Sequence, residues 1–280
     1  MKQTLTVFAA LLGALCANYS AADEHFAATP LIELWAAGAP AFGLYVRPEE
    51  SAAEDDSDSA VPFYSRETGE KLAANPYLDF AFLSLESHYD ANSARRVSEG
   101  MFGGDGDSSK SLLVRIPPIS VDGIEAARVR AREVLSLGAH GVVIPHVLSA
   151  DEAREAISFF EDVDVWSPEN PDGSVIVMLI VEDPDVFAEL DEIAAMPGFS
   201  SLVCGIGSLT SALGGDREAA EKINQQVLAV SKRRGKPNLT TVDLDSVALR
   251  VEQGFLGLLA YGPDGDDVLR RGRAAAGRTP

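Results

Sequence analysis

Apolar residues in this chain come in short unbroken runs, separated by stretches where they recur three and four positions apart. The runs are AFGLYV (41–46), LDFAFLSLE (78–86), SLLVRI (111–116), GVVIPHV (141–147), VIVMLIVE (175–182), SSLVCGIG (200–207), NLTTV (238–242) and FLGLLAYG (255–262). Several are apolar at almost every position, as strands covered on both faces must be. Between them, EAARVRAREVLSLG, SADEAREAISFF, DPDVFAELDEIAAM and DREAAEKINQQVLAVSKRRG carry a helical period. Ser149 with Glu152 three residues on marks a helix start. Gly138 and Gly235 fall where helix C-terminal caps belong. Eight strands alternating with helices over about 250 residues predict a single (β/α)8 TIM barrel. A doubly wound open sheet shares the alternation and is the competing architecture, but no GxGxxG follows the first strand to support it. There is no internal repeat.

Two segments interrupt the alternation. Residues 47–77, RPEESAAEDDSDSAVPFYSRETGEKLAANPY, are acidic and Ser-rich and longer than an ordinary βα connection. They predict an acidic insertion loop, either a lid or a solvated excursion. MFGGDGDSSK (101–110) predicts a second flexible loop, and its DGD lacks the ligand series of a calcium site.

The N-terminus stands apart from this pattern. Lys2 precedes TLTVFAALLGALCA, and Ser20-Ala21-Ala22 forms a small-residue cleavage site before Asp23. A positive start, a short apolar run and a small-residue site predict a secretory signal peptide over 1–22, with the barrel in 23–280. Leu15 occupies the position before Cys16 where a lipoprotein signal needs a small residue. Removal of the peptide leaves Cys204 as the sole thiol, so no internal disulfide is available and the core alone must hold the exported protein together. The expected location is periplasmic or extracellular, with no membrane attachment once the signal is gone.

The chain has 280 residues, 46% of them hydrophobic, enough for a full core. Its formal net charge of −20 argues against nucleic acid and anionic membrane surfaces as partners. In a barrel, chemistry sits at the C-terminal strand ends. Those ends carry Arg47, Glu86-Ser87-His88, Arg115-Ile116-Pro117, Pro145-His146, Glu182-Asp183 and Gly205-Ile206-Gly207-Ser208. Each alone reads as a surface ion pair or a turn. Together, an arginine and several carboxylates at one mouth suit a metal and an anionic substrate.

The succession LDFAFLSLE, LLVRIPP, GAHGVVIPHV with ADEAR, VMLIVEDPD and IAAMPGFSSLVCGIGSLTSALGG resembles the HpcH/HpaI aldolase and citrate lyase family, in the right order over nearly the whole chain after the signal. The resemblance implies a (β/α)8 barrel that forms a homo-oligomer. It implies a divalent metal, Mg or Mn, chelating a pyruvate-like 2-oxo acid, and hence a small carboxylate substrate. Arg115 would steady the developing enolate oxygen and Glu182 would bind the metal. The turn Gly205, Gly207 and Ser208 would line the substrate pocket.

This chain also departs from the family pattern. The family segment G-P-x-D-L-S-x-x-L-G supplies a second metal carboxylate. Gly205, Leu209, Leu213 and Gly214 match it, but Ser208 replaces the Asp, so Ser208 is at best a weak ligand and Asp183 a candidate substitute. The family's catalytic base comes from a Glu-His pair. Here Ser87 takes the His position and His88 comes one residue late, leaving Glu86 and His88 as candidate proton carriers. The family's Arg-Gly before strand five is absent from VWSPENPDGSV. These features predict a divergent carbon–carbon lyase with a weakly bound metal. The alternatives are a barrel that binds a small carboxylate without turnover, and a lyase or hydrolase that works without metal.

Overall fold

The computed structural model describes residues 29–49, 61–103 and 109–278. The expected signal peptide and its cleavage site lie outside the described residues. The chain enters through α1 (Pro30–Ala36) and then alternates β1 (Ala41–Tyr45), α2 (Arg66–Ala74), β2 (Phe80–Ser84), α3 (Ala91–Phe102) and β3 (Ser111–Arg115). It continues with α4 (Ile119–Asp122), α5 (Ile124–Ser136), β4 (Gly141–Ile144), α6 (Ala150–Ser158) and β5 (Ile176–Val181). A 3-10 turn (Pro184–Glu189) leads into α7 (Leu190–Ala195), β6 (Ser201–Cys204), α8 (Ile206–Ala212), α9 (Arg217–Arg233) and β7 (Leu239–Val242). The last elements are α10 (Val247–Gln253), β8 (Gly257–Ala260) and α11 (Gly265–Ala275).

All eight strands are parallel, in the order β6-β5-β4-β3-β2-β1-β8-β7. Each lies within one of the apolar runs of the sequence. β1 pairs with both β2 and β8, Gly43 facing Phe80 on one side and Leu259 on the other. Side chains bridge the seam between β6 and β7: Ser201 Oγ donates to the Pro237 carbonyl at 3.0 Å, and the Asn238 amide donates to the Leu202 carbonyl. The result is a nearly closed (β/α)8 barrel.

The unbroken apolar runs follow from this closure. Alternate residues face the lumen, among them Phe80, Phe82, Leu113, Val143, Ile176, Met178, Ile180, Val203 and Leu259. Their neighbours, such as Ala81, Leu83, Leu112, Val114, Val177 and Leu179, pack under the helices. Each fully buried large side chain contributes about 1.5–3 kcal/mol. α1 closes the N-terminal end. Leu31 and Ile32 are buried there, Trp35 Nε1 donates to the Leu256 carbonyl at 2.9 Å, and Trp35 lies against Trp166 at 6.1 Å between ring centroids. Among the described residues, α1 thus plugs the N-terminal end, opposite the C-terminal mouth.

Most of the predicted helix signals are met. Ser149 Oγ accepts the Glu152 N–H at 3.1 Å, while the Glu152 carboxylate takes the N–H of Leu148 at 2.7 Å. Gly138 and Gly235 have positive φ. The reading of 47–77 as one insertion loop is corrected in its second half, where α2 forms the β1–β2 crossover helix. Ser65 caps it by accepting the Thr68 N–H at 3.2 Å. α2 packs tightly on α3: a Cβ at Gly69 would collide with the Val97 carbonyl, and one at Gly100 with that of Arg66. Residues 50–60, the most acidic part of the segment, lie outside the described residues. So do 104–108 of the second predicted loop, whose start, Met101 and Phe102, ends α3. Among the described residues, no helix is long and apolar enough to cross a membrane.

Candidate active site

The two-residue period that fills the lumen also selects what reaches its mouth. Counting by twos from Phe80 and Phe82 leads to Ser84 and then Glu86; from Leu113 it leads to Arg115, and from Met178 and Ile180 to Glu182. Arg115 is held from four sides. Its Nε donates to Ser84 Oγ at 2.9 Å and its Nη2 to Tyr45 OH at 3.3 Å. Nη2 also lies 2.6 Å from Glu86 Oε2, and the guanidinium stands 5.8 Å from the centre of the Phe82 ring.

His146 completes the set. It is the one non-glycine with positive φ (52°) among the described residues. This backbone turn brings its ring between two carboxylates, Nε2 lying 2.9 Å from Glu86 Oε1 and Nδ1 2.9 Å from Glu182 Oε1. Its backbone N–H also donates to Glu182 Oε1 at 3.3 Å. Hydrogen bonds to Glu182 and Glu86 raise the His146 pKa to about 10, so the ring is cationic at neutral pH. Burial pushes the Glu86 carboxyl up, but the His146 bond and the Arg115 charge more than offset it and hold the group below its usual value. Glu182 is only 4% exposed, a burial that a carboxylate tolerates only when paired. Cys204 beneath it is pushed up to about 12, first by burial and then by the Glu182 charge, and stays a thiol.

Of the residues expected from the sequence, Arg115, Glu86 and Glu182 are brought together. Gly205 lies against Glu182, so closely that a Cβ there would strike the carboxylate. Gly207 and Ser208 sit in the first turn of α8 with exposed side positions. His88, expected as a proton carrier, is exposed and bonds to no described residue. The chain bends after Ser84, so the two-residue phase is lost before residue 88. The histidine in the site is His146, to which the sequence assigned no role. Asp183, expected as a spare ligand, instead caps the 3-10 turn by accepting the Asp185 N–H at 2.9 Å.

The residues present do not fit the two-carboxylate metal centre that the family pattern implies. Among the described residues, no three His, Cys, Asp or Glu side chains form a set that could hold a metal. Glu182 Oε1 already accepts from the His146 backbone and faces its ring.

The fold and the mouth define a class: a (β/α)8 barrel with an arginine and a carboxylate–imidazole pair at its C-terminal end. The sequence model of the HpcH/HpaI aldolase/citrate lyase family matches residues 104–258, just over half of the chain, and the chain belongs to that family. Among solved structures, it is similar to an HpcH/HpaI aldolase/citrate lyase family protein from Burkholderia cenocepacia (TM-score 0.64, 21% identity, covering 88% of this chain and 96% of the other). It is similar to an HpcH/HpaI aldolase from Desulfitobacterium hafniense (TM-score 0.63, 21% identity, 91% and 98% covered). A third is the citrate lyase beta subunit from M. tuberculosis, complexed with oxaloacetate and magnesium (TM-score 0.54, 18% identity, 83% and 96% covered). At these identities the likeness shows the fold alone. No curated protein matches the sequence.

Proposed function

We propose that the protein is a carbon–carbon lyase of aldolase type acting on a small 2-oxo or hydroxy acid. The observation that carries this reading is Arg115, fixed in the mouth 2.6 Å from the Glu86 carboxylate, which itself lies 2.9 Å from the His146 ring. A 4-hydroxy-2-oxo acid entering the mouth places its 2-oxo oxygen on Arg115 and displaces Glu86 from Nη2. Glu86, backed by His146, takes the proton of the 4-hydroxyl. The C3–C4 bond breaks, an aldehyde leaves, and the electron pair moves into C2–C3 as an enolate whose oxygen charge faces Arg115. Return of the proton to C3 gives the 2-oxo acid product. No step is assigned to a metal.

The closed contact between Arg115 and Glu86 also favours a second reading, a barrel that binds a small carboxylate without turnover. Incubation with 4-hydroxy-2-oxo acids, with pyruvate followed by coupled NADH oxidation, separates the two. Pyruvate release by wild type supports the lyase. Binding of pyruvate or oxamate by calorimetry without release supports the binding barrel.

The same proposal includes export with loss of residues 1–22, checked by the intact mass of native material. It also includes assembly of copies of the chain, checked by light scattering.

A further inference from the structure

We propose that the His146 side chain takes the place of a metal cation in this site, bridging the two carboxylates of the mouth so that it is assembled without a divalent ion. Four observations support this. Both ring nitrogens lie 2.9 Å from oxygens of different carboxylates, Glu86 and Glu182. Each is an ion-pair contact by distance; Glu86 Oε1 accepts no directed hydrogen bond from any described residue, so the His146 ring is the one group set against it. Second, His146 adopts a left-handed backbone at φ 52°, a conformation unfavourable for a residue with a Cβ, which persists where surrounding contacts hold it. The turn aims the backbone N–H and the ring at the same oxygen, Glu182 Oε1.

Third, the approach to Glu182 is closed. Its carboxylate is 4% exposed and Gly205 covers Oε2, so an ion would have to come from the side where the ring stands. The other expected ligands are turned elsewhere: Asp183 caps the 3-10 turn and the Ser208 hydroxyl is exposed on α8. Fourth, both carboxylates already have partners. Arg115 and His146 stand at ion-pair distance from Glu86, and His146 from Glu182, so an ion would have to displace a side chain that is already in place. In a family whose citrate lyase beta subunit is complexed with magnesium, this chain puts one of its own side chains between the carboxylates.

The inference concerns the cation, not the reaction. If the protein proves inactive, the lyase reading fails and the inference stands. It is tested by calorimetric titration of MnCl2 into the full chain. For wild type, Glu182→Gln is expected to leave the Mn isotherm unchanged, because no ion binds there. His146→Gly keeps the left-handed backbone and removes the bridging cation. It is expected to raise Mn affinity at least tenfold, and the double variant His146→Gly/Glu182→Gln to lose that gain. His146→Asn, neutral and tolerant of positive φ, is a second version with the same expected direction. The proposal is overturned if Glu182→Gln weakens Mn binding of the otherwise wild-type chain tenfold or more. It is also overturned if folded His146 variants gain no Mn affinity. Should both His146 variants unfold, the Glu182→Gln comparison still decides.

Discussion

Strand β4 is bracketed by two histidines that meet opposite environments. His140 precedes it at the floor of the barrel, its Nδ1 accepting the Leu112 N–H at 3.2 Å and its ring edge-on to Phe102. Burial with no anion beside it lowers its pKa to about 4, so it is a neutral packing element. His146 follows the strand at the mouth, and two carboxylates raise its pKa to about 10. The contrast extends to the arginines. At the floor, Arg273 and Arg278 converge on Asp79, whose Oδ2 also accepts the Phe42 N–H at 2.8 Å, and all of this holds backbone in place. At the mouth, Arg115 keeps a partly exposed charge among Glu86, Ser84 and Tyr45. One end of the barrel uses polar groups to fasten the chain. The other holds them where a ligand can displace a partner.

This comparison is broken most severely if mouth and floor arginine sites behave alike. Arg115→Ala is expected to lower turnover of a 2-oxo acid substrate, or its binding, on the order of 100-fold or more. The melting temperature should change little, since the residue touches ligand space rather than core. Unfolding of this variant with wild-type ligand affinity in its folded fraction would make Arg115 a fastening residue like those of the floor.

Asp79→Ala should do the reverse. It leaves Arg273 and Arg278 without their shared carboxylate and the Phe42 N–H without its acceptor, a loss of about 3–5 kcal/mol. Urea unfolding measures the loss, and the folded fraction should keep wild-type ligand affinity. Reduced affinity at full stability would show that the floor communicates with the mouth.

A smaller effect is expected at Gly205, where φ is ordinary at −73° and only space demands glycine. A methyl group there meets the Glu182 carboxylate. Gly205→Ala is therefore expected to cost about 1–3 kcal/mol in stability and to weaken ligand binding as Glu182 is pushed against His146. Gly207→Ala, with open space at its side position, serves as the neutral control.

How much of this was legible in the sequence depends on whether a residue obeys the period of its element. The eight strands were legible because a parallel sheet covered on both faces writes unbroken apolar runs. Arg115, Glu86 and Glu182 were legible as strand-end residues that the family resemblance also picks out, and they fall in the lumen phase of their strands. α2 was not legible: it buries only Gly69 and Leu72, so it has no apolar stripe, and its packing depends on bare glycine backbone against α3. His146 was missed for a different reason. Counted along β4, it falls in the phase of Val142 and Ile144, which face the helices. Only the positive φ returns it to the mouth, and a single sequence does not show that for a histidine after a proline. His88 was expected from the family's Glu-His pair, one residue late, and the bend after Ser84 leaves it exposed.

A last prediction tests the two histidines directly, through a change spread over several pH units. His140 has a folded pKa of about 4, below its usual 6.5, so between those values the unfolded chain binds a proton that the fold refuses. Stability should therefore fall as pH drops from about 6.5 toward 4, by at most about 1.4 kcal/mol per pH unit from this group. His146 has the opposite sign. Its folded pKa of about 10 lies above 6.5, so its contribution is full below pH 6.5 and is lost as pH rises toward 10. With its side chain 37% exposed, solvent screening reduces that contribution. Melting temperature should accordingly peak near pH 6.5 and decline on both sides. In His140→Asn, whose Oδ1 can accept the Leu112 N–H in place of Nδ1, the acid limb should flatten and the alkaline limb persist. In His146→Asn the alkaline limb should flatten instead. If the alkaline limb is unchanged in His146→Asn, the ring does not carry its charge between Glu86 and Glu182, and the contrast between the two ends of β4 fails.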